Sequence, residues 1–400
     1  MTVLIADTLA PSCAEALEAH GHTVVSQPKL SGEALTEALR EVQPHALIVR
    51  STRVTAEAMA ASGDLELIVR AGAGYDTIDV AGASAQGRFV ANCPGKNAVA
   101  VAELTLGLLL SLDRRLADNV TDARAKRWNK AAFSKAEGVQ GKTLGLIGLG
   151  NIGQAVARRA QAFGLRVIAW SRSLTEEDAA AQGVERFEDP LQVAAEADIV
   201  SLHVAATPET RHLADRAFFE AMKPGALFLN TTRASVVDED ALRWALDHKG
   251  LRAGLDVVSD EPSTKQGPFE HPLAQHPGVY LTHHIGASTQ QAQDAVAAEA
   301  VRVVLTYAET GRVPNCVNLA RQSPATHLLT VRHQDQVGVL AGVLDQVRQA
   351  EWNVQEMENL IFEGHQAACA RIRFHGAASP EVLARIAGCQ GVLGATVIPL

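Results

Sequence analysis

Cysteines and long apolar stretches are both scarce in this 400-residue chain. The five cysteines are odd in number, widely spaced and without a C-x-x-C pair, which favours reduced thiols in a cytoplasmic protein over a disulfide framework. The longest apolar runs, such as 104–112, are too short to span a bilayer. Residues 2–7 predict a first strand instead of a secretion signal. We therefore expect no membrane partner and no metal site.

Positive charge is also in short supply. The chain has 36 Lys and Arg against 45 Asp and Glu, a formal net charge of −9 at pH 7, and no basic run offsets it. A polyanionic partner such as nucleic acid is therefore not expected. The hydrophobic fraction of 47% is ample for several buried cores, and the length suggests two or three domains.

The strongest motif is the segment T-L-G-L-I-G-L-G-N-I-G, which predicts a buried strand running through glycines into a helix. Gly148, Gly150 and Gly153 fall on the G-x-G-x-x-G spacing. The first allows a tight turn, the second lets the backbone approach a pyrophosphate, and the third lets the helix pack on its strand. The helix starts at Asn151 and Ile152, where free N–H groups and the helix dipole favour phosphate. These features predict a dinucleotide-binding site.

Short apolar runs alternate with helical patterns over most of the chain. This rhythm predicts the α/β class with two doubly wound parallel-sheet domains. We expect a flavodoxin-like substrate domain formed by 1–98 with 286–320, and a Rossmann cofactor domain at 99–285. After a linker around 320–325, a β-α-β-β-α-β pattern predicts a ferredoxin-like domain at 326–400.

Long helical patterns join the two larger domains. One is predicted from Ala98 to about Ala125, leading into the dinucleotide domain. Another is predicted from Ser288 to about Thr310, and we expect it to pack back onto the first domain.

Polar segments stand at predicted strand ends of the first domain, where open α/β sheets bind ligands. These segments are 50–53, 70–76 and 92–97. Gly72 and Gly74 either expose backbone N–H groups to an anion or simply punctuate a turn.

Three predicted strand ends of the second domain carry an arginine, a carboxylate and a histidine. Arg233 would direct its guanidinium at a substrate carboxylate and a developing carbonyl oxygen. His284 would accept the hydroxyl proton as the hydride leaves, and Glu261 would orient the imidazole and favour its protonated form. Singly, these side chains fit a surface cation, a turn acid and a core histidine. Together, beside a nucleotide loop, they predict oxidation of a secondary alcohol that bears a carboxylate.

These residues resemble those of the D-isomer-specific 2-hydroxyacid dehydrogenases. Arg233 lies in N-T-T-R, Glu261 follows Asp256 by five residues, and His284 lies in H-H-I-G-A-S-T. The resemblance implies that these three are the catalytic Arg, Glu and His. It also implies that Asp256 sits near the nicotinamide carboxamide and that Thr232 is among the cofactor contacts.

Further motifs match the D-3-phosphoglycerate dehydrogenase branch of this family. They are Arg50-Ser51, Arg70-Ala71-Gly72, Asn92-x-Pro94, Asn97 and Glu103-Leu-Thr. By resemblance, Arg50 with Ser51 beside it approaches a substrate phosphate, the loop from Arg70 to Gly74 holds the carboxylate, and Asn97 also binds substrate. The implied substrate is a phosphorylated 2-hydroxy acid, 3-phosphoglycerate, oxidised to 3-phosphohydroxypyruvate as the first step of serine synthesis.

The cofactor implied is NAD, although the sequence departs from the usual NAD pattern. Most NAD-preferring members have an Asp about 20 residues after the glycines, and this chain has Ser171-Arg172 there. Ser171 can still bond the ribose, whereas Arg172 could pair with a 2′-phosphate, so use of NADP stays open.

The C-terminal domain resembles the ACT regulatory domain of the bacterial enzymes of that branch. By resemblance His333, Asp335 and Gly338 belong to a serine-sensing turn, and Asn353 falls at a ligand asparagine. The implied arrangement is a homodimer or homotetramer with serine at an interface between paired domains. Asp335 and Val337 replace an Asn and a Pro of the relatives, and a dimer-forming pair without ligand is the alternative.

Two other functions remain open. Within enzymes the rival is a reductase of hydroxypyruvate or glyoxylate, for which the Ser171-Arg172 pair would be natural. The rival of another class is an NAD(H)-sensing binding protein, since corepressors resemble this fold and triad. The ACT-like tail argues against both.

Overall fold

The structure is a computed structural model that describes residues 1–262, 266–320 and 322–400. It divides into two compact units, Met1–Asn318 and Leu319–Leu400. The break falls beside the predicted linker, of which Arg321 lies outside the described residues. The finer three-domain division stays a prediction.

The first part of the larger unit alternates strands with helices. In chain order the elements are β1 Thr2–Ile5, α1 Ser12–Ala19, β2 Thr23–Ser26, α2 Glu33–Val42, β3 Ala46–Val49, α3 Ala56–Ala60, β4 Leu67–Arg70, α4 Val80–Ala85 and β5 Phe89–Asn92. The strands pair in parallel in the order β2-β1-β3-β4-β5, which is the flavodoxin-like order. The central strand β3 is apolar and buried throughout, as expected where helices cover both faces of a parallel sheet.

The next part of this unit contains the second parallel sheet. Its elements are α5 Ala98–Arg114, α6 Leu116–Arg124, α7 Lys130–Phe133, β6 Thr143–Ile147, α8 Asn151–Ala162, β7 Arg166–Trp170, α9 Glu176–Ala181, β8 Glu185–Arg186, α10 Pro190–Glu196, β9 Ile199–Leu202, a 3₁₀ turn Pro208–Thr210, α11 Arg216–Ala221, β10 Leu227–Asn230, a 3₁₀ turn Ala234–Val236, α12 Glu239–Lys249, β11 Arg252–Leu255, α13 Pro272–Gln275 and β12 Val279–Leu281. The order β12-β11-β10-β9-β6-β7-β8 places the change of winding direction between β6 and β9. Ligands of such sheets bind at the carboxyl ends of the strands beside this point. The predicted Rossmann architecture is confirmed.

The single helix predicted from Ala98 to Ala125 is wrong. Arg115 adopts φ 51, in the left-handed region, and separates α5 from α6. Many residues of α5 are buried, whereas α6, described throughout, buries none. The chain therefore turns where its apolar face ends. The short elements α7 and β8 were also not predicted.

The helix α14, Gln290–Thr310, packs against the first sheet. Thr289 caps its N-terminus by accepting the N–H of Ala292, and Gly311 ends it at φ 67. Its buried side chains, such as Val303 and Val304, share a core with the strands β1 and β3. The expected return of this helix to the first domain is confirmed.

The smaller unit has the predicted β-α-β-β-α-β order. Its elements are β13 His327–Gln334, α15 Val339–Gln349, β14 Asn353–Ile361, β15 Ala367–His375, α16 Pro380–Ala387 and β16 Val392–Pro399. The sheet is antiparallel with the ferredoxin-like order β14-β15-β13-β16. Trp352 stacks on Phe374 at a centroid distance of 4.1 Å within its core. In the described parts of the chain, the search for a helix able to cross a membrane found none.

Candidate active site

The glycines after β6 are set by close contacts. A Cβ on Gly148 would lie 2.5 Å from the carbonyl oxygen of His203, and one on Gly153 would lie 2.3 Å from the carbonyl oxygen of Gly148. A Cβ on Gly150 would meet no atom within 4 Å, because Gly150 faces open space at the start of α8. No side chain caps this helix, so the N–H groups of its first turn, which includes Asn151, are available. The turn fits a pyrophosphate.

The end of β7 lies beside this turn. The Gly148 N–H donates to the carbonyl oxygen of Trp170 at 2.7 Å, so Ser171 and the exposed Arg172 follow directly. A hydrogen bond from Thr207, together with the charge of Arg172, lowers the pKa of Glu209. Glu209 is thus ionised and within electrostatic range of Arg172, with no ion pair between the two in the described structure.

His284 and Glu261 form a direct pair. The imidazole Nδ1 lies 2.8 Å from Glu261 Oε2, while Glu261 Oε1 accepts the N–H of Val258 at 3.2 Å. Burial of Glu261 raises its pKa, but the hydrogen bond and charge of His284 outweigh this, and the net pKa is lowered. Glu261 is therefore ionised near neutral pH and orients His284 so that Nε2 points away from the carboxylate.

Asp256 holds the loop that presents His284. Its buried carboxylate accepts the Thr282 hydroxyl at 2.6 Å and the N–H groups of Ile285 and Gly286, each at 2.8 Å. His284 itself donates its N–H to the Asp256 carbonyl oxygen and has φ 52, an uncommon conformation for a side chain of this kind. The hydrogen bonds of the Asp256 carboxylate described in the structure are thus to this loop. Its contact with the nicotinamide stays a prediction.

Arg233 lies on a turn fixed by the last residue of β10. Asn230 Oδ1 accepts the N–H and hydroxyl of Thr232 at 3.0 and 2.7 Å, and Asn230 Nδ2 donates to the Arg233 carbonyl oxygen. The Arg233 guanidinium pairs with Asp76, with Nη2 to Oδ1 at 3.2 Å and Nε to Oδ2 at 3.4 Å. The side chain of Thr232 is therefore committed to the turn. Asp76 was not among the predicted site residues.

Arg70 lies within electrostatic range of two other arginines and of Asp76. Burial lowers the pKa of Arg70, and the charges of Arg233 and Arg50 lower it further, while Asp76 acts in the opposite direction. Arg70 Nε is buried and has no hydrogen-bond partner among the described residues. The site therefore carries an excess of positive charge that is suited to an anion with more than one negative group.

Gly72 and Gly74 lie close to two of these arginines. A Cβ on Gly72 would lie 1.5 Å from Arg70 Nη1, and one on Gly74 would lie 2.5 Å from Arg233 Nη2. At Gly72 the backbone also has φ 156, which a side chain would strain, whereas at Gly74 the close contact is with the flexible end of Arg233.

The backbone of the Arg70 loop differs from the expected anion contact. The Ala71 N–H donates to the Val49 carbonyl oxygen at 2.6 Å, and the Gly72 N–H donates to the Arg70 carbonyl oxygen at 2.8 Å. The N–H groups of Ala73 and Gly74 have no acceptor among the described residues. Within the predicted loop from Arg70 to Gly74, the N–H groups of Ala71 and Gly72 are therefore used inside the protein, and those of Ala73 and Gly74 remain for a carboxylate.

Asp7 corrects the expected role of Ser51. Its carboxylate accepts the N–H groups of Arg50, Ser51 and Thr52 at 2.7 to 3.0 Å, and the Ser51 hydroxyl at 2.9 Å. The Ser51 hydroxyl proton is therefore used within the protein, and only the Arg50 side chain remains for a phosphate. Asp7 lies at the end of β1, where the sequence offered only a lone carboxylate after an apolar run.

Asn97 is the other predicted substrate contact. Its Oδ1 is buried and without a partner in the described residues. A buried unpaired polar atom costs about 1–3 kcal/mol, so this oxygen and Arg70 Nε are both suited to receive a ligand.

In the smaller unit, His333 does not lie open to an effector. It is buried, with Nδ1 2.7 Å from the Gln334 carbonyl oxygen and Nε2 3.1 Å from Asn359 Oδ1. This corrects its expected role, because both ring nitrogens are engaged. Asp335 and Asn353 are exposed, and Gly338 precedes α15 with φ 91. A search of the described residues for groups of three or more His, Cys, Asp or Glu that could hold a metal found none.

Residues 106–286 match the family described as D-isomer specific 2-hydroxyacid dehydrogenase, NAD binding domain. The chain is 40% identical over 282 residues to a hydroxypyruvate reductase of Thermotoga maritima, a match that covers 70% of this chain and 89% of that relative. It is also 37% identical over 325 residues to a D-3-phosphoglycerate dehydrogenase of Methanocaldococcus jannaschii, which covers 80% of this chain. The chain therefore belongs to the D-isomer specific 2-hydroxyacid dehydrogenase family.

The match to the Methanocaldococcus protein spans only 60% of the length of that relative. Among solved structures, the NAD⁺-bound 3-phosphoglycerate dehydrogenase of Entamoeba histolytica superposes with a TM-score of 0.67 at 25% identity. That superposition covers 80% of this chain and 99% of the Entamoeba chain.

Proposed function

We propose that this protein is an NAD-dependent dehydrogenase that oxidises 3-phosphoglycerate to 3-phosphohydroxypyruvate, the entry to serine synthesis. The observation that carries the proposal is the His284–Glu261 pair at 2.8 Å, which shares the strand ends of one sheet with Arg233 and the glycine turn. A histidine oriented by a carboxylate is suited to exchange a proton with a substrate hydroxyl.

The chemistry divides among these side chains. Arg233 binds the substrate carboxylate and stabilises negative charge on the reacting oxygen. His284 takes the hydroxyl proton at Nε2, and the Glu261 carboxylate stabilises the imidazolium that forms. A nicotinamide ring bound beside them supplies the hydride acceptor. The protein thus provides orientation and proton transfer.

The charge of the site favours a phosphorylated substrate. Arg50, Arg70 and Arg233 are opposed by two carboxylates, Asp76 and Glu261, which leaves an excess of one positive charge. In this proposal Arg50 binds the phosphate, and Arg70 with the free N–H groups of Ala73 and Gly74 contributes to binding of the carboxylate. Two anionic groups on one substrate match this distribution.

A hydroxypyruvate reductase is the second candidate. It is favoured by the Thermotoga relative, since this chain matches most of the length of that protein. Hydroxypyruvate has a carboxylate but no phosphate, so it would leave Arg50 without a partner.

For the cofactor we propose NAD as the preferred form. The negative charge of Glu209, which is within electrostatic range of Arg172, supports this preference, because it would disfavour a 2′-phosphate at Arg172. The free energy gained by the Arg172 pair would be reduced by that repulsion.

For the smaller unit we propose an ACT-type regulatory domain that pairs with a second copy and responds to serine. The fold order and the edge position of β14, which exposes Met357, Leu360 and Ile361, support pairing. Asp335, Gly338 and Asn353 then supply the polar groups for a serine ammonium and carboxylate, without His333.

The test is a panel of three substrates, phosphohydroxypyruvate, hydroxypyruvate and glyoxylate, each offered with NADH and with NADPH. Oxidation of the reduced nicotinamide is followed by absorbance, with His284→Ala as the control. We expect phosphohydroxypyruvate with NADH to be preferred. Preference for hydroxypyruvate would establish the second candidate, and no turnover with any substrate would favour a binding protein.

A further inference from the structure

The side chain of Glu239, the first residue of α12, contacts two residues that lie outside its own helix. Its Oε1 accepts the N–H of Ser259 at 2.6 Å, and its Oε2 accepts the Ser259 hydroxyl at 2.6 Å. His271 Nε2 lies 3.2 Å from the same Oε2. One carboxylate therefore holds two residues that are twelve positions apart in the chain.

The tautomer of His271 follows from its other nitrogen. Nδ1 accepts the N–H of Leu273 at 3.3 Å, so the proton lies on Nε2 and is directed at Glu239 and Ser259. The ring is buried and stacks on Phe269 at an interplanar angle of 5°. His271 is thus a fixed donor, and Glu239 contacts both Ser259 and His271.

The contacts of Glu239 with Ser259 lie next to Glu261, which pairs with His284. Asp260 follows Ser259 with φ 54, in the left-handed region, and Glu261 comes next. Glu261 then bonds His284 through Oε2 and Val258 through Oε1. The Ser259 backbone is therefore the last point fixed by another element before the chain turns to place Glu261.

We propose that Glu239 is a positioning residue, which sets the place of Glu261, and through it the orientation and protonation of His284, by holding Ser259 and His271. The inference rests on the proposed proton-transfer role of His284. A side chain remote from the reacting atoms thereby controls the pH range of the reaction.

Few charged or titratable groups contact Glu239 and Glu261 in the described structure. Arg233 contributes a positive charge at Glu261, and Arg233 is itself paired with Asp76. His271 faces Glu239. Substitution of Glu239 removes its contacts with Ser259 and His271 and leaves the Arg233–Asp76 pair in place. A change at His284 can therefore be assigned to the loss of those contacts.

Two substitutions of Glu239 and one neighbour test the proposal. Glu239→Ala removes all three contacts, whereas Glu239→Gln keeps an acceptor for the Ser259 N–H and a polar group beside its hydroxyl. Asp238→Asn is the matched control, since Asp238 caps the same helix by accepting the Ala241 N–H at 3.0 Å and contacts neither Ser259 nor His271. If Glu239→Ala does not fold, Ser259→Ala replaces it, with a smaller effect in the same direction.

The first measurement is the pH profile of turnover with the preferred substrate of the panel. Glu239→Ala should lower kcat roughly tenfold with little change in KM, since a displacement of about 1 Å costs up to 10²-fold. Its profile should move to lower pH, in the direction of Glu261→Gln. Glu239→Gln should restore only part of the loss, because its NH₂ group would face the His271 donor, and Asp238→Asn should keep the profile of the parent. An unmoved profile for Glu239→Ala, or an equal movement for Asp238→Asn, overturns the proposal.

The second measurement does not depend on activity. The half-exposed His284 is modified with diethyl pyrocarbonate across pH, in a His283→Gln background, and its modification is followed by peptide mass spectrometry. The reaction midpoint of His284 should move to lower pH in Glu239→Ala as it does in Glu261→Gln. If the midpoint in Glu239→Ala equals that of the parent, the positioning role of Glu239 is wrong. If the parent protein is inactive and the midpoint still moves in Glu239→Ala, only the proposed function is rejected.

Discussion

Asp256→Asn tests whether the described contacts of Asp256 explain its importance. The carboxylate accepts the Thr282 hydroxyl and the Ile285 N–H at Oδ1, and the Gly286 N–H at Oδ2. An asparagine has one acceptor oxygen, so in either orientation its NH₂ group faces at least one N–H donor. At least one charge-assisted hydrogen bond is lost, which costs roughly 1.5–3 kcal/mol at a buried site.

The assay combines urea unfolding with kinetics and direct measurement of cofactor affinity. We expect a decrease in the free energy of unfolding of about 1.5–3 kcal/mol and a lower kcat, because the loop no longer holds His284 at its left-handed φ. The affinity for the cofactor should change little. If the cofactor dissociation constant rises by a large factor while stability and kcat are unchanged, Asp256 acts on the nicotinamide, and the loop account is wrong.

Three further predictions follow from single contacts. Arg172→Ala should impair use of NADPH more than use of NADH, with loss of charge-assisted bonds worth roughly 1.5–3 kcal/mol, and equal losses in kcat/KM for both cofactors would contradict this. Burial raises the pKa of Asp7, but the hydrogen bonds from Arg50, Thr52 and Ser51 outweigh this, and the net pKa is lowered. The ionised Asp7 therefore stabilises the folded protein above the unfolded pKa, and this stabilisation is lost as pH falls through the folded pKa. Asp7→Asn should therefore be less stable than the parent at neutral pH and lose less stability on acidification, and parallel pH–stability curves would refute the assignment. Millimolar serine should lower turnover and bind calorimetrically, weakly or not at all after Asn353→Ala, and full binding by that variant would remove Asn353 from the effector site.

Local sequence patterns predicted the elements that are decided by near neighbours. The continuous apolar run Ala46–Val49 is one such element, and it forms a strand that is buried throughout. The glycine spacing likewise specifies its turn, since Gly148 and Gly153 relieve contacts within the strand-turn-helix unit or with the adjacent strand.

Contacts distant in the chain were missed for a common reason. Asp7, Asp76 and Glu239 each accept hydrogen bonds or ion pairs from residues that are 20 to 157 positions away. A lone carboxylate carries no local signal of its partner. His333 shows the reverse error, since its motif resembled a ligand turn while the fold buries the ring.

We propose that this site selects a substrate with a phosphate and a carboxylate by binding the two groups with different arginines. The most direct test is the ratio of kcat/KM for phosphohydroxypyruvate to that for hydroxypyruvate, measured with NADH in the parent protein and in Arg50→Ala. We expect the parent ratio to be well above one and to fall roughly 10- to 150-fold in the variant, the loss of a charge-assisted contact with phosphate. A parent ratio below one, or a ratio that Arg50→Ala leaves unchanged, would contradict the account.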